Sequence, residues 1–155
     1  MSHVQGVGGA FVFARDLEKL AGWYRDVLGF EFEGGEEFGA YYKIFWALAA
    51  DGSGRRVDTT FAVMRAKREF PSWAEARDED DMYGDQPFMV NLRVDDLDAT
   101  LADLRAKDVA VLKESDEGYA KFAWIRDAEG NRIELYEPRA EEASDGDPAG
   151  GADSE

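Results

Sequence analysis

Apolar positions along this chain recur with two periods, and the switches between the periods mark its elements. Gly9 to Ala14 alternates as a strand. Leu17, Leu20, Tyr24, Val27 and Leu28 then fall on one helical stripe, behind the N-cap residue Asp16 and ahead of Gly29, a C-terminal glycine. Strands are predicted at Phe30 to Glu33, Tyr41 to Leu48 and Val57 to Met64, separated by Gly34-Gly35 and by Asp51-Gly52-Ser53-Gly54. The order then returns: strand Phe88 to Val94, helix Asp96 to Lys107, and strands Val109 to Leu112, Tyr119 to Arg126 and Arg132 to Tyr136. Between the two sets lies "REFPSWAEARDEDDMYGDQP", Arg68 to Pro87, a polar connector with embedded aromatics. It reads either as a linker with a short helix or as a lid carrying Trp73 and Tyr83 over a pocket.

The two sets resemble one another. "FVFARDLEKL" (Phe11 to Leu20) and "NLRVDDLDAT" (Asn91 to Thr100) each join a strand to an Asp-Leu that opens a helix, with Asp16 and Asp96 80 positions apart. "GRRVD" (Gly54 to Asp58) matches "GNRIE" (Gly130 to Glu134) 76 positions apart, a difference that loops absorb. The expected fold is α+β, with two βαβββ modules at residues 1–67 and 87–138, a connector or lid at 68–86 and a tail at 139–155. From Pro138 onward "PRAEEASDGDPAGGADSE" holds no aromatic or large aliphatic residue. It buries too little to offset its ordering entropy and reads as disordered.

Composition narrows the chemistry. At 155 residues with 45% apolar content the chain fills one good core. It has no cysteine and a single histidine, His3, near the N-terminus. Thiolate metal sites, iron–sulfur clusters, disulfides and cysteine nucleophiles are excluded, and histidine triads or multi-histidine metal sites are disfavoured. No apolar run reaches the ~20 residues of a membrane helix, and residues 1–10 do not form a signal peptide, so a cytoplasmic protein is expected. A formal charge of −16 argues against nucleic acid and anionic membranes as partners. The acidity reads either as adaptation to high salt or as ordinary acidity enlarged by the tail; a self-repelling surface is destabilised at low salt.

The paired modules, the opening "ARDLEKLAGWYRDVLGF" and the closing "DAEGNRIELYEP" resemble the vicinal oxygen chelate superfamily of glyoxalases, bleomycin resistance proteins and extradiol dioxygenases. The resemblance spans about Val7 to Pro138. It implies strands curling into a cupped mixed sheet with the helices outside, and commonly a homodimer. In the metal enzymes of the superfamily it implies four inward ligands, one on the first and one on the last strand of each module.

Strand alternation says which side chains face such a cup. Phe88, Val90, Leu92 and Val94 take the helix side and leave Met89, Asn91 and Arg93 opposite. Ile133 and Leu135 leave Arg132, Glu134 and Tyr136 in the concavity. Ala10, Val12 and Ala14 pack under the first helix and leave Gly9, Phe11 and Phe13 on the cup side. Carried over one at a time, the ligand positions fall on Gly9, Asp58, Met89 and Glu134. Two are carboxylates, one has no side chain, and a thioether is a poor partner for Mg, Mn, Fe or Zn. The expectation is no cofactor; a divalent metal, if any, rests on Asp58 and Glu134, with His3, Asn91 or Gln86 recruited under another register.

Glu134 keeps several readings. It forms a satisfied pair with Arg93 or Arg132; or, with Asn91, Arg93 and Tyr136, it orients a small polar ligand against an apolar wall of Phe11, Phe13 and Trp46; or it is a catalytic general base on an acidic C–H. Tyr119 either hydrogen-bonds a ligand or merely starts a strand. Trp124 and Phe122 read as core, and Arg126 and Asp127 as supports of the turn before Gly130. Two functions follow: a metal-free binding protein of the bleomycin-resistance type, whose acidic surface favours a planar cationic ligand by steering, or a lyase, isomerase or dioxygenase of the glyoxalase type.

Overall fold

Each half of the chain folds into the same unit. The structure, a computed structural model, describes residues 6–67, 69 and 88–139; His3, Gln86, Trp73, Tyr83, most of the connector and nearly all of the tail lie outside them. The first unit runs β1 (Gly9–Ala14), α1 (Leu17–Leu28), β2 (Glu33–Gly35), a 3-10 turn (Glu36–Phe38), β3 (Ala40–Leu48) and β4 (Arg56–Arg65). The second runs β5 (Val90–Arg93), α2 (Leu97–Ala106), β6 (Lys113–Asp116), β7 (Ala120–Arg126) and β8 (Arg132–Pro138). The fold is α+β with two βαβββ modules.

Both helices start where their caps lie. The Asp16 carboxylate accepts from the Lys19 N–H at 3.0 Å and that of Asp96 from Ala99 at 2.9 Å, each satisfying an N–H that the helix leaves unpaired. Gly29 ends α1 at φ 71°, a left-handed conformation that a residue without Cβ adopts freely.

The strand orders are β1-β4-β3-β2 and β5-β8-β7-β6. β1 lies parallel to β4 and β5 parallel to β8, and the other pairs are antiparallel. Among the described residues no ladder joins the two sheets. They are joined by packing, since Val12, Phe61 and Val63 under α1 form one cluster with Ala123, Ile125, Ile133 and Leu135 under α2.

The second strand of each module lies later than the apolar pattern predicts. Phe30 and Phe32 pack against the core, and the ladder begins at Glu33; Val109 and Val111 do likewise, and the ladder begins at Lys113. Apolar residues mark what the core buries, whereas the edge strand is defined by backbone hydrogen bonds that polar residues make equally well. Phe88 differs too: it precedes β5 and is exposed instead of joining Val90, Leu92 and Val94 against the core.

Candidate functional site

Strand register builds the polar part of the site. β5 and β8 pair Asn91 with Glu134 and Arg93 with Tyr136, so these four side chains share the sheet face turned away from α2. The Asn91 amide donates to Glu134 Oε1 at 2.6 Å. Among the described residues no ion pair joins Glu134 to Arg93, and the Asn91 amide is the described hydrogen-bond partner of Glu134. Antiparallel pairing extends the face across β7, setting Trp124 beside Glu134 and Phe122 beside Tyr136. Phe122 stacks on Trp124 and on Tyr136 with centroids 6.1 and 5.5 Å away, while Tyr119 meets the Phe122 edge.

A cleft of about 840 Å³ opens between the modules. Its walls are mainly apolar, with Phe30, Phe45 and Phe61 from the first module and Val90, Leu92 and Leu104 from the second, and Trp46, Asn91, Arg93 and Tyr136 lie along it. Four of the residues expected at a ligand site therefore share one cavity, and Glu134 is tied to it through Asn91. Phe11, Phe13 and Tyr119 do not line it. The first two stand half-exposed on the face of the first sheet turned away from α1, and Tyr119 is 70% exposed. No ring contact or hydrogen bond among the described residues links Phe11 or Phe13 to the polar set.

The four family ligand positions do not fit a metal. A Cβ at Gly9 would collide with the Thr60 carbonyl oxygen, so no side chain fits there. Asp58 is not the counterpart of Glu134. Asn91 and Phe11 each lie five residues before their helix cap, and the residue opposite Phe11 is Ala62. The β3–β4 ladder overhangs β1 by the residues Arg56 to Thr59, which places Asp58 opposite Trp46 and beyond the end of β1. Turn motifs of the two modules match, but the hairpins differ in length, and the match shifts the register by four. What remains is Gly9, Ala62, Met89 and Glu134, one carboxylate, where a divalent ion needs three or four protein donors. Among the described residues no three His, Cys, Asp or Glu side chains gather as a metal site.

The turn Asp127 to Asn131, ahead of β8, is a clamp between modules. Asp127 Oδ1 accepts from the backbone N–H groups of Glu129 and Asn131 at 2.9 and 3.0 Å, and Oδ2 accepts from the Asn131 amide at 2.8 Å and the Tyr24 hydroxyl at 3.1 Å. Burial pushes the Asp127 carboxyl above its ordinary range, the hydrogen bonds opposing that rise, and burial with the Asp127 charge holds the Tyr24 phenol well above its own. Glu129, which sequence reasoning passed over, accepts from the backbone N–H groups of Arg15 and Asp16, both at 2.9 Å, and so caps α1 from the other module. A carboxylate in a turn reads as surface; the 114-residue separation of its partner leaves no local signal. Among the described residues no side-chain hydrogen bond ties Arg126 to the turn, and its Nε and Nη2 are buried without a partner. Trp124 is only 3% exposed, but on the face away from α2 and outside the core cluster.

Comparison with known proteins agrees with this architecture. No curated protein sequence matches the chain. Among solved structures, an antibiotic binding protein, TnmS3, from Streptomyces sp. CB03234 aligns at 22% identity and TM-score 0.58 over 90% of this chain and 100% of its own. A glyoxalase/bleomycin resistance protein/dioxygenase from Nocardioides aligns at 15% and 0.60 over 98% and 93%, and a lactoylglutathione lyase from Agrobacterium tumefaciens at 17% and 0.59 over 88% and 96%. At such identities these likenesses speak for the fold. The family model for the Glyoxalase/Bleomycin resistance protein/Dioxygenase superfamily matches residues 1–135, and the chain belongs to that superfamily.

Proposed function

We propose that this chain is a small-molecule binding protein that works without a metal, holding its ligand in the cleft between the modules. The observation that carries this reading is the donor set. The one carboxylate left at a family ligand position, Glu134, is engaged by the Asn91 amide beside an apolar cavity of drug-sized volume. Glu134 and Asn91 together offer an acceptor and a donor to the polar edge of a ligand, Arg93 and Tyr136 flank them, and Trp46 supplies an aromatic wall. TnmS3, of the same fold, is an antibiotic binding protein, which supports reading this scaffold as a holder of organic molecules. We further expect a homodimer, because Phe11, Phe13 and Leu48 leave an apolar sheet face open to a second copy.

The test is metal content together with a ligand screen. Untagged protein is dialysed against Mn, Fe, Ni and Zn and then against metal-free buffer, as wild type and Glu134→Ala. The expected result is no retained stoichiometric metal; an ion held by wild type and lost from the variant overturns the reading. In a thermal-shift screen of planar aromatic compounds, a ligand at a hundred times its Kd adds about 2.7 kcal/mol of stability. Trp46→Ala and Asn91→Ala are expected to abolish that gain. Light scattering at micromolar concentration reads the dimer, and a monomer of about 17.3 kDa removes that part.

A further inference from the structure

Three buried donor atoms on two side chains of β7 lack acceptors. Trp124 Nε1 and Arg126 Nε and Nη2 are shut off from solvent and have no hydrogen-bond partner. Trp124 and Arg126 are two apart on β7, so both project from the face that carries Glu134, and the ladder sets the buried Arg132 directly opposite the half-buried Arg126.

Such donors are costly to leave unmet. A guanidinium cannot shed its charge, and a buried N–H without an acceptor loses its full hydration. The nearby carboxylates are committed elsewhere: Glu134 to Asn91, Asp127 to Tyr24, Asn131 and two backbone amides, and Glu129 to the amides of Arg15 and Asp16. We propose that this face holds an oxyanion site, in which Arg126 and Trp124 donate hydrogen bonds to the carboxylate or phosphate group of a small molecule. The planar guanidinium fork matches the paired oxygens of such a group, and the indole N–H adds a third donor. Neither side chain lines the cleft, and Trp124 stands beside Glu134 on the same sheet face. The net charge of −16 slows the approach of an anion but does not set its affinity, which is decided at contact distance among buried donors.

Calorimetric titration of the full chain with inorganic phosphate, benzoate and the neutral isostere benzamide tests this at constant ionic strength. The expected result is saturable binding, one per chain, of phosphate or benzoate and none of benzamide. Phosphate alone identifies a free oxyanion as the ligand, and benzoate over phosphate identifies the carboxylate of an organic molecule. Arg126→Met, which keeps volume and removes the donors, should weaken that binding at least tenfold. Trp124→Phe should weaken it several-fold and carries the test if Arg126→Met fails to fold. Arg139→Met, which removes an exposed pair with Asp116, should leave it unchanged. Absence of saturable binding to both anions, equal binding of benzamide, or undiminished affinity in both site variants overturns the proposal.

Discussion

Asp127 concentrates the residue-scale physics of this protein. Its carboxyl sits largely out of water with four donors aimed at it, and burial outweighs them, so its pKa in the folded chain lies above the 3.8 of an ordinary aspartate. The folded state therefore keeps this proton to a higher pH than the unfolded state does. The group favours folding increasingly as pH falls through the interval above 3.8 and costs most once ionised at neutral pH. Asp127→Asn cannot titrate, so the melting-temperature difference between wild type and variant should shift towards wild type as pH falls from neutral to about 4. A pH-independent difference would mean that Asp127 titrates alike in both states. Asp127 was legible in the sequence as a turn residue, because an Asp ahead of Gly-Asn bonds its own turn. Its bond to Tyr24, 103 residues away, was not, since a hydroxyl on an apolar stripe shows only its ring.

At the scale of elements, the clamp from Glu129 to the start of α1 is the contact most exposed to test. Its side chain is only 5% exposed and satisfies two backbone N–H groups that no residue of the first module reaches among the described residues. Glu129→Ala leaves those donors unmet, which costs about 2 kcal/mol and lowers Tm by roughly 5 °C. Proteolysis at the start of α1 should quicken as well, and a variant that melts with wild type would show that water replaces the carboxylate. Helices and long strands were legible because caps and alternation are local. The second strands were misplaced because they are edge strands, defined by what pairs with them. Asp58 was mistaken for the mate of Glu134 because a turn motif repeats while the length of the hairpin behind it does not.

For the whole molecule the governing quantity is charge. With 34 acidic against 18 basic residues, and the described salt bridges mostly between exposed groups, self-repulsion is expected to outweigh pairwise attraction. Added KCl screens the repulsion over about 10 Å at 0.1 M, so Tm should rise between dilute buffer and molar salt. A falling Tm would show that the ion pairs dominate. The sequence alone determined the α+β class, the two βαβββ modules, both helix caps, the sides that Phe11, Phe13, Asn91 and Glu134 face, and the superfamily. These follow from local periodicity and from short motifs, which depend on a residue and its near neighbours. Only the tertiary structure decided that Ala62 stands where a second carboxylate was expected, that Gly9 has no room for a side chain, that the Asn91 amide bonds Glu134, and that donor atoms of Arg126 and Trp124 lie buried and unmet. Each depends on strand register or on packing between modules, and a chain's periodicity carries no record of which distant residue comes to lie opposite.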